Sequence, residues 1–414
     1  ERFLDKNNLK LKKINLNSNN IFSFRINKKF KFKDFKLDSQ IKINELLINN
    51  DLKLKSFFPK IKNEIILRDH YLKINFDKNK LNVDGRGEIL FQENKDKLAY
   101  SINKNNEDIN FDISFEIFDN PFLISFLNFE KDKKNKAQIY IAGTKYQNNQ
   151  IKISSAFIKE KVNKIELKKM IFDEKLRIVT FEDIKFNYLD KENQKNIFNI
   201  ANKENRYFLK AKSLNANNIL DDLINSDDKE TKFNLLENKF NFDIQIDNMR
   251  LDDVYEIRNF NGNLVLHNSN IVDANLSGIF PDSEKITFTV KSKNDEKITT
   301  LFVDKAKPIV KRYKFIKGFE QGSLDFYSSK IGNKSNSTLK IYDFKLKELP
   351  GLTKLLTLAS LQGIADLLSG EGIRFNEFEM IFNNQDTLMK IEELYAIGPA
   401  ISILMDGYVE KDKL

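Results

Sequence analysis

Phe240-Asn241-Phe242-Asp243-Ile244-Gln245-Ile246-Asp247 alternates an apolar with a polar side chain at every step. Strand side chains have a period of two, so this segment has one dry face and one wet face. The same alternation recurs in both directions along the chain. Phe30-Lys31-Phe32-Lys33, Ile41-Lys42-Ile43-Asn44, Leu52-Lys53-Leu54-Lys55 and Ile151-Lys152-Ile153-Ser154 all carry it. Turn signals punctuate the runs at Asn49-Asn50-Asp51, Asp84-Gly85, Asn148-Asn149, Asn261-Gly262 and Asn383-Asn384. Asp84-Gly85-Arg86-Gly87 is expected to be a hairpin turn, because Gly permits positive φ. The pattern gives on the order of 20 strands, mostly meandering.

Strands stack at ~4.8 Å, so one continuous sheet would be roughly 100 Å long. Open sheets rarely exceed ~10 strands without curling. Two architectures follow. The sheet can fold over its own apolar face as a trough, or it can break into β-sandwiches whose apolar faces seal against each other. Alternation by itself favours sandwiches, the commoner use of such a face.

Helical segments are few. Thr353 to Leu368 is the strongest, preceded by Pro350 and Gly351 and followed by Gly370. Its apolar residues Leu355, Leu356, Leu358, Leu361, Ile364, Leu367 and Leu368 surround the wheel, with only Lys354 and Asp366 charged. A helix apolar on every side is buried or touches lipid. Shorter candidates are Ala306 to Phe315, with Pro308 in the first turn, and Ile219 to Ile224. The acidic stretch Ser226 to Lys232 is the one clear composition break. It suggests two segments, 1–235 and 236–414.

The 414 residues are 41% apolar and 31% charged, which supplies a large core and argues against global disorder. The net charge of +9 comes from Lys spread among Asp, Glu and Asn on every wet face. Nucleic-acid binding needs clustered cations and is not expected. The run Lys131-Asp132-Lys133-Lys134-Asn135-Lys136 reads as a solvated turn. No Cys is present, so disulfide and thiolate metal sites are excluded. The chain begins at Glu1 with no signal peptide or long apolar span, and is expected to be a fragment.

Chemistry is hard to find. Neither His70 nor His267 has ligand partners at metal-binding spacing, and strand-end or turn roles are expected for both. Gly318-Phe319-Glu320-Gln321-Gly322 and Gly370-Glu371-Gly372 lack the lysine and helix of a phosphate loop. Asp221-Asp222 and Asp252-Asp253 read as turn or cap residues. The expectation is no enzyme, no cofactor and no metal.

A resemblance sharpens this reading. Tyr342-Asp343-Phe344-Lys345-Leu346-Lys347-Glu348-Leu349-Pro350-Gly351-Leu352 leads into the apolar helix. Gly370-Glu371-Gly372-Ile373-Arg374-Phe375, Ala396-Ile397-Gly398-Pro399-Ala400 and Asp406-Gly407 follow. With Phe302-Val303-Asp304 and Gly318 to Leu324 upstream, this order resembles the AsmA-like C-terminal region of the YhdP type, over about residues 240 to 414. The resemblance implies a mainly β fold: an elongated, twisted, largely antiparallel sheet curled into a trough with a hydrophobic interior, plus a few short helices. It also implies a periplasmic protein that shields phospholipid acyl chains between inner and outer membranes. The inner-membrane tether and both membrane-docking ends would lie outside this chain. A non-enzymatic scaffold for outer-membrane proteins, binding through strand edges, is the alternative.

On the trough reading the inward set includes Leu264, Leu266, Phe288, Val290, Leu324, Phe326, Leu339, Ile341, Ile401 and Ile403. The alternation changes phase within Ile373 to Met380, and again between Ile341 and Phe344, which predicts β-bulges.

Overall fold

The computed structural model describes residues 10–49, 54–105, 107–219, 239–268, 270–312, 318–347, 372–385 and 387–410. The fold is mainly β and mostly antiparallel, and it is not closed into a barrel. It divides into two compact units, one up to Glu204 and one from Asn205. The acidic stretch Ser226 to Lys232 lies outside the described residues. The division falls ahead of it, in a two-residue turn at Glu204-Asn205 whose members have φ of 53° and 65°.

The first unit contains β1 (Lys10–Ile26), β2 (Phe32–Asn49), β3 (Glu64–Asp77), β4 (Lys80–Leu90), β5 (Asp96–Asn105) and β6 (Asp108–Ile117). A short ribbon follows, β7 (Leu123–Ile124) with β8 (Phe129–Glu130). Next come β9 (Ala137–Lys145), β10 (Ile151–Glu160), β11 (Asn163–Phe172), β12 (Ile178–Thr180), β13 (Asp183–Leu189) and β14 (Lys195–Lys203). Among the described residues the pairings are antiparallel, and the main sheet is a meander interrupted by the β7–β8 insertion, with β12 and β13 both pairing with β11.

The insertion packs on one end of the strands. Phe91, Phe122, Phe129 and Tyr188 are buried there, and Phe58 meets Phe91 edge-on at 4.9 Å. A polar network sits among these rings. Asp96 accepts from the backbone N–H of Phe118 at 2.9 Å and from Asn120 Nδ2 at 2.7 Å. Lys131 is 1% exposed and donates to the carbonyls of Phe118 and Asp132. The expected solvated turn is therefore wrong at its first residue. The insertion needs a cation where backbone carbonyls and the buried Asp96 and Glu160 converge.

The second unit contains β15 (Arg206–Asn215), β16 (Lys239–Arg250), β17 (Glu256–His267), β18 (Asn270–Ile279), β19 (Lys285–Lys293) and β20 (Glu296–Val303). One helical turn, α1 (Lys307–Val310), carries Pro308 in its first turn. Then come β21 (Phe319–Ile331), β22 (Lys334–Leu346), β23 (Ile373–Gln385), β24 (Leu388–Ile397) and β25 (Ser402–Glu410). β15 and β16 pair in parallel; every later pair is antiparallel. The parallel pair places β15 with the second unit.

The helix expected over Ala306 to Phe315 is only α1 among the described residues. Residues 217–219 are helical and the rest of the Ile219 to Ile224 candidate lies outside the described residues, as does Thr353 to Leu368.

Three turn signals fall inside strands, among them Asn383-Asn384, which lies in β23 with Asn383 facing Lys390 and Asn384 facing Met389. Asp84-Gly85-Arg86-Gly87 lies within β4, and the hairpin turn is Lys78-Asn79, with φ of 46° and 68°. Gly85 and Gly87 are there for space: a methyl on Gly85 would fall 2.3 Å from the Tyr100 ring. Asn261-Gly262 lies within β17, where Gly262 has φ of 141° and faces the carbonyl oxygen of Asn275.

The expected phase changes are present, but the β-bulges predicted there are not, because the pairing does not slip. Tyr342 faces Glu377 and Phe344 faces Phe375, so the register is the same on both sides of the change. Asp343, at φ of 50°, absorbs it in β22. On the far side Phe319, Phe344 and Phe375 stack at 5.3 Å and 5.2 Å.

Candidate functional site

Residues directly opposite in a ladder share a face, so register alone traces each face across a sheet. In the second unit one row runs Leu276, Phe288, Leu301, Phe326, Leu339, Met380, Leu394 over seven consecutive strands. Beside it runs Ile286, Val303, Leu324, Ile341, Phe378, Ala396, Ile403. A third row begins Phe242, Leu264, Ala274, Val290 and then turns polar at Thr299, Ser328 and Ser337. There Ser337 Oγ donates to Ser328 Oγ at 2.9 Å.

These rows bring most of the expected inward residues together. Phe288, Phe326 and Leu339 are in the first row; Leu324, Ile341 and Ile403 are in the second; Leu264 and Val290 are in the third. Leu266 pairs with Phe240 and Ile271 at the next level. Ile401 precedes β25 and accepts the Gly398 N–H at 2.9 Å, so it belongs to a turn and is in no ladder. The apolar helix residues Leu355, Leu356, Leu358, Leu361, Ile364, Leu367 and Leu368 lie outside the described residues.

The opposite face is polar in its middle, between the exposed Phe302 and Leu404 at the ends of the same row. Asp325, Lys340, Glu379 and Tyr395 follow one another across it. Lys340 Nζ is 3.1 Å from Glu379 Oε2, and the Tyr395 hydroxyl donates to the same oxygen at 2.5 Å. That hydroxyl, followed by the lysine, holds the Glu379 carboxyl below its usual range.

The first unit repeats the arrangement. Ile41, Leu72, Gly85, Tyr100, Ile113, Ile141, Ala156, Leu167, Ile184 and Ile200 form one row over ten strands. The neighbouring row runs Leu98, Phe115, Ile139, Ile158, Ile165, Phe186, Phe198, ending in two rings stacked at 4.1 Å.

Burial separates the rows. Leu324 and Ile341 are each 4% exposed, as in a sealed core. Phe288, Leu301, Phe326, Leu339, Met380 and Leu394 are only half-buried, as are Ile113, Ile141, Leu167, Ile184 and Ile200 in the first unit. Two sheets sealed face to face interdigitate at crystal-like density and leave such central rows dry. Here the central row of each unit keeps apolar surface accessible among the described residues.

One polar pair interrupts the first unit's apolar face. His70 is fully buried opposite Ile43, and neither ring nitrogen has a hydrogen-bond partner among the described residues. Asp69 and His70 together face the single Gly87, a β-bulge in which Asp69 has φ of 44°. A methyl on Gly87 would lie 2.5 Å from His70 Cα. The imidazole stacks on Tyr100 with centroids 5.7 Å apart, and burial pushes its pKa down. Sequence reading expected a turn or strand-end histidine. The signal it passed over was the Gly-x-Gly of the facing strand.

His267 ends β17, exposed, beside Asn268. Asp252 caps a turn, accepting from the N–H groups of Val254 and Tyr255 at 2.8 Å. No group of three or more His, Asp or Glu placed to hold a metal occurs among the described residues. No protein-family model, curated protein or solved structure matches this chain.

Proposed function

We propose that this chain is a lipid-shielding β segment of a bacterial envelope protein of the AsmA-like, YhdP type. Acyl chains of phospholipid lie along the half-buried central rows, while headgroups stay near the Lys- and Asn-rich rims. The observation that carries this reading is the row from Phe288 to Leu394, apolar on six successive strands yet accessible on each. Each methylene moved out of water contributes about 0.8 kcal/mol, so a long dry wall holds a chain without a specific pocket. No chemical step is needed, and the segment is not an enzyme on this reading. It works in the periplasm, in a trough-shaped sheet, between membranes that segments outside this chain contact.

The test is lipid extraction and photocrosslinking of the purified chain. Phospholipid should co-purify, and a photoreactive residue at Phe326 or Leu339 should label it while one at Lys340 does not. Equal labelling from both faces, or a lipid-free protein, sinks the reading.

A second reading rests on the sheet edges. Among the described residues β1 pairs only with β2, and β25 only with β24. Ile21 and Phe22 are 76% and 61% exposed, and Leu404 is 75% exposed. Exposed apolar edges are templates for strand addition. A scaffold for outer-membrane proteins would use them, and a polypeptide crosslinked at β1 or β25 in place of lipid would select this reading.

A further inference from the structure

We propose that His70 and Tyr100 form a polar subsite on the first unit's apolar face, which hydrogen-bonds the ester carbonyl of an acyl lipid. The inference rests on the lipid-shielding reading and names what that face recognises.

The fold spends three local concessions on this pair. The β3 bulge, with Asp69 in a left-handed conformation, delivers the imidazole to the face. Gly87 gives the imidazole room, and Gly85 gives Tyr100 room to lie across β4. The ladder neighbours at this level are Ile41, Ile43, Leu72 and Ile113, none of which bonds a ring nitrogen or a hydroxyl. Buried imidazoles in folded proteins are normally hydrogen-bonded, and one with both nitrogens idle calls for a partner.

The chemistry of the pair selects the partner. Burial keeps the imidazole neutral near pH 7, so it offers one N–H, and Tyr100 offers one O–H. Two neutral donors in apolar surroundings suit a neutral acceptor. The ester carbonyl is such an acceptor, and it sits where an acyl chain begins. A phosphate would need cations, but Lys42, Lys73 and Arg86 occupy the alternate positions and belong to the other face. A fatty-acid carboxylate shares the acceptor oxygen but brings a charge that this wall desolvates without compensation. Tyr100, half-buried, is the outer member, and the fully buried imidazole lies against its ring.

The experiment compares dioleoyl phosphatidylcholine, its di-ether analogue and oleate, each presented in detergent micelles to the full chain. Binding is read by native mass spectrometry and by the imidazole ¹⁵N spectrum, which contains two histidines. The ester lipid should bind about five- to tenfold tighter than the ether, the value of one or two hydrogen bonds. It should shift the His70 nitrogens and leave His267 unmoved. The doubly substituted H70F/Y100F chain, with unchanged circular dichroism, should bind ester and ether alike. Equal binding of ester and ether by the unsubstituted chain overturns the subsite and leaves the lipid reading standing. Tighter binding of oleate than of ester overturns the choice of carbonyl. Binding of none of the three overturns the lipid reading and the subsite with it.

Discussion

The Tyr188 hydroxyl donates to the carbonyl oxygen of Leu127 at 2.9 Å, joining β13 to the inserted ribbon that packs on the strand ends. Tyr188 is 1% exposed, and burial pushes its phenol well above the usual range. The ring also meets Phe129 edge-on at 5.7 Å. One side chain thus supplies both packing and the partner for a turn carbonyl.

Tyr188→Phe keeps the ring and removes the donor. The Leu127 carbonyl then stays buried without this bond, at a cost of about 1–3 kcal/mol. Urea unfolding of the chain, compared with the unsubstituted protein, measures the loss.

Lys131→Met tests the buried cation. It removes the donor to Phe118 and Asp132 and leaves Asp96 and Glu160 without their nearby positive charge. Burial already pushes the Lys131 pKa down and that of Asp96 up, so the group is held under tension. The expected destabilisation is about 3 kcal/mol, the scale for breaking a buried charged arrangement. Proteolysis within residues 118–136 should rise in parallel.

Gly262→Ala and Gly407→Ala should behave oppositely. A methyl on Gly262 would lie 1.9 Å from the Asn275 carbonyl oxygen, at a φ of 141° that L residues avoid. A loss above about 2 kcal/mol is expected. Gly407 in β25 has nothing within 4 Å of the added carbon, so its change should stay within about 0.5 kcal/mol. Thermal melts of the two variants give the contrast.

His70 makes stability fall in acid. Its folded pKa lies below the ordinary 6.5 because burial disfavours the cation. As pH falls the unfolded chain takes up the proton first. The full contribution is therefore present above about pH 6.5 and is lost as pH drops through the lower folded value. His70→Phe should abolish this part of the slope between pH 7.5 and 5.5. It should also stabilise the plateau by about 1 kcal/mol, because an idle buried imidazole disappears. Denaturant midpoints of both proteins at the two pH values decide it.

Legibility followed periodicity. Phe240 to Asp247 announced a one-sided strand, and β16 contains all eight residues. Phe288, Phe326 and Leu339 were assigned one face by alternation, and the ladders place them in one row. The phase changes near Asp343 and within Ile373 to Met380 were also visible, because each marks a break in a simple two-residue count. Punctuation was less reliable. Asp84-Gly85 and Asn261-Gly262 look like turns in one dimension, yet both lie within strands. Glycine answers equally to a need for positive φ and to a need for room, and only the opposing strand tells which.

Sequence alone determined which side of each regular stretch is greasy, since parity is a property of the chain wherever no bulge or left-handed residue resets it. Tertiary structure decided which residues are sealed and which stay open, and it buried Lys131 and His70. Burial depends on what another part of the chain lays over a residue. Nothing in the identity of Leu324 or Leu339 distinguishes the one that is closed off from the one that is not.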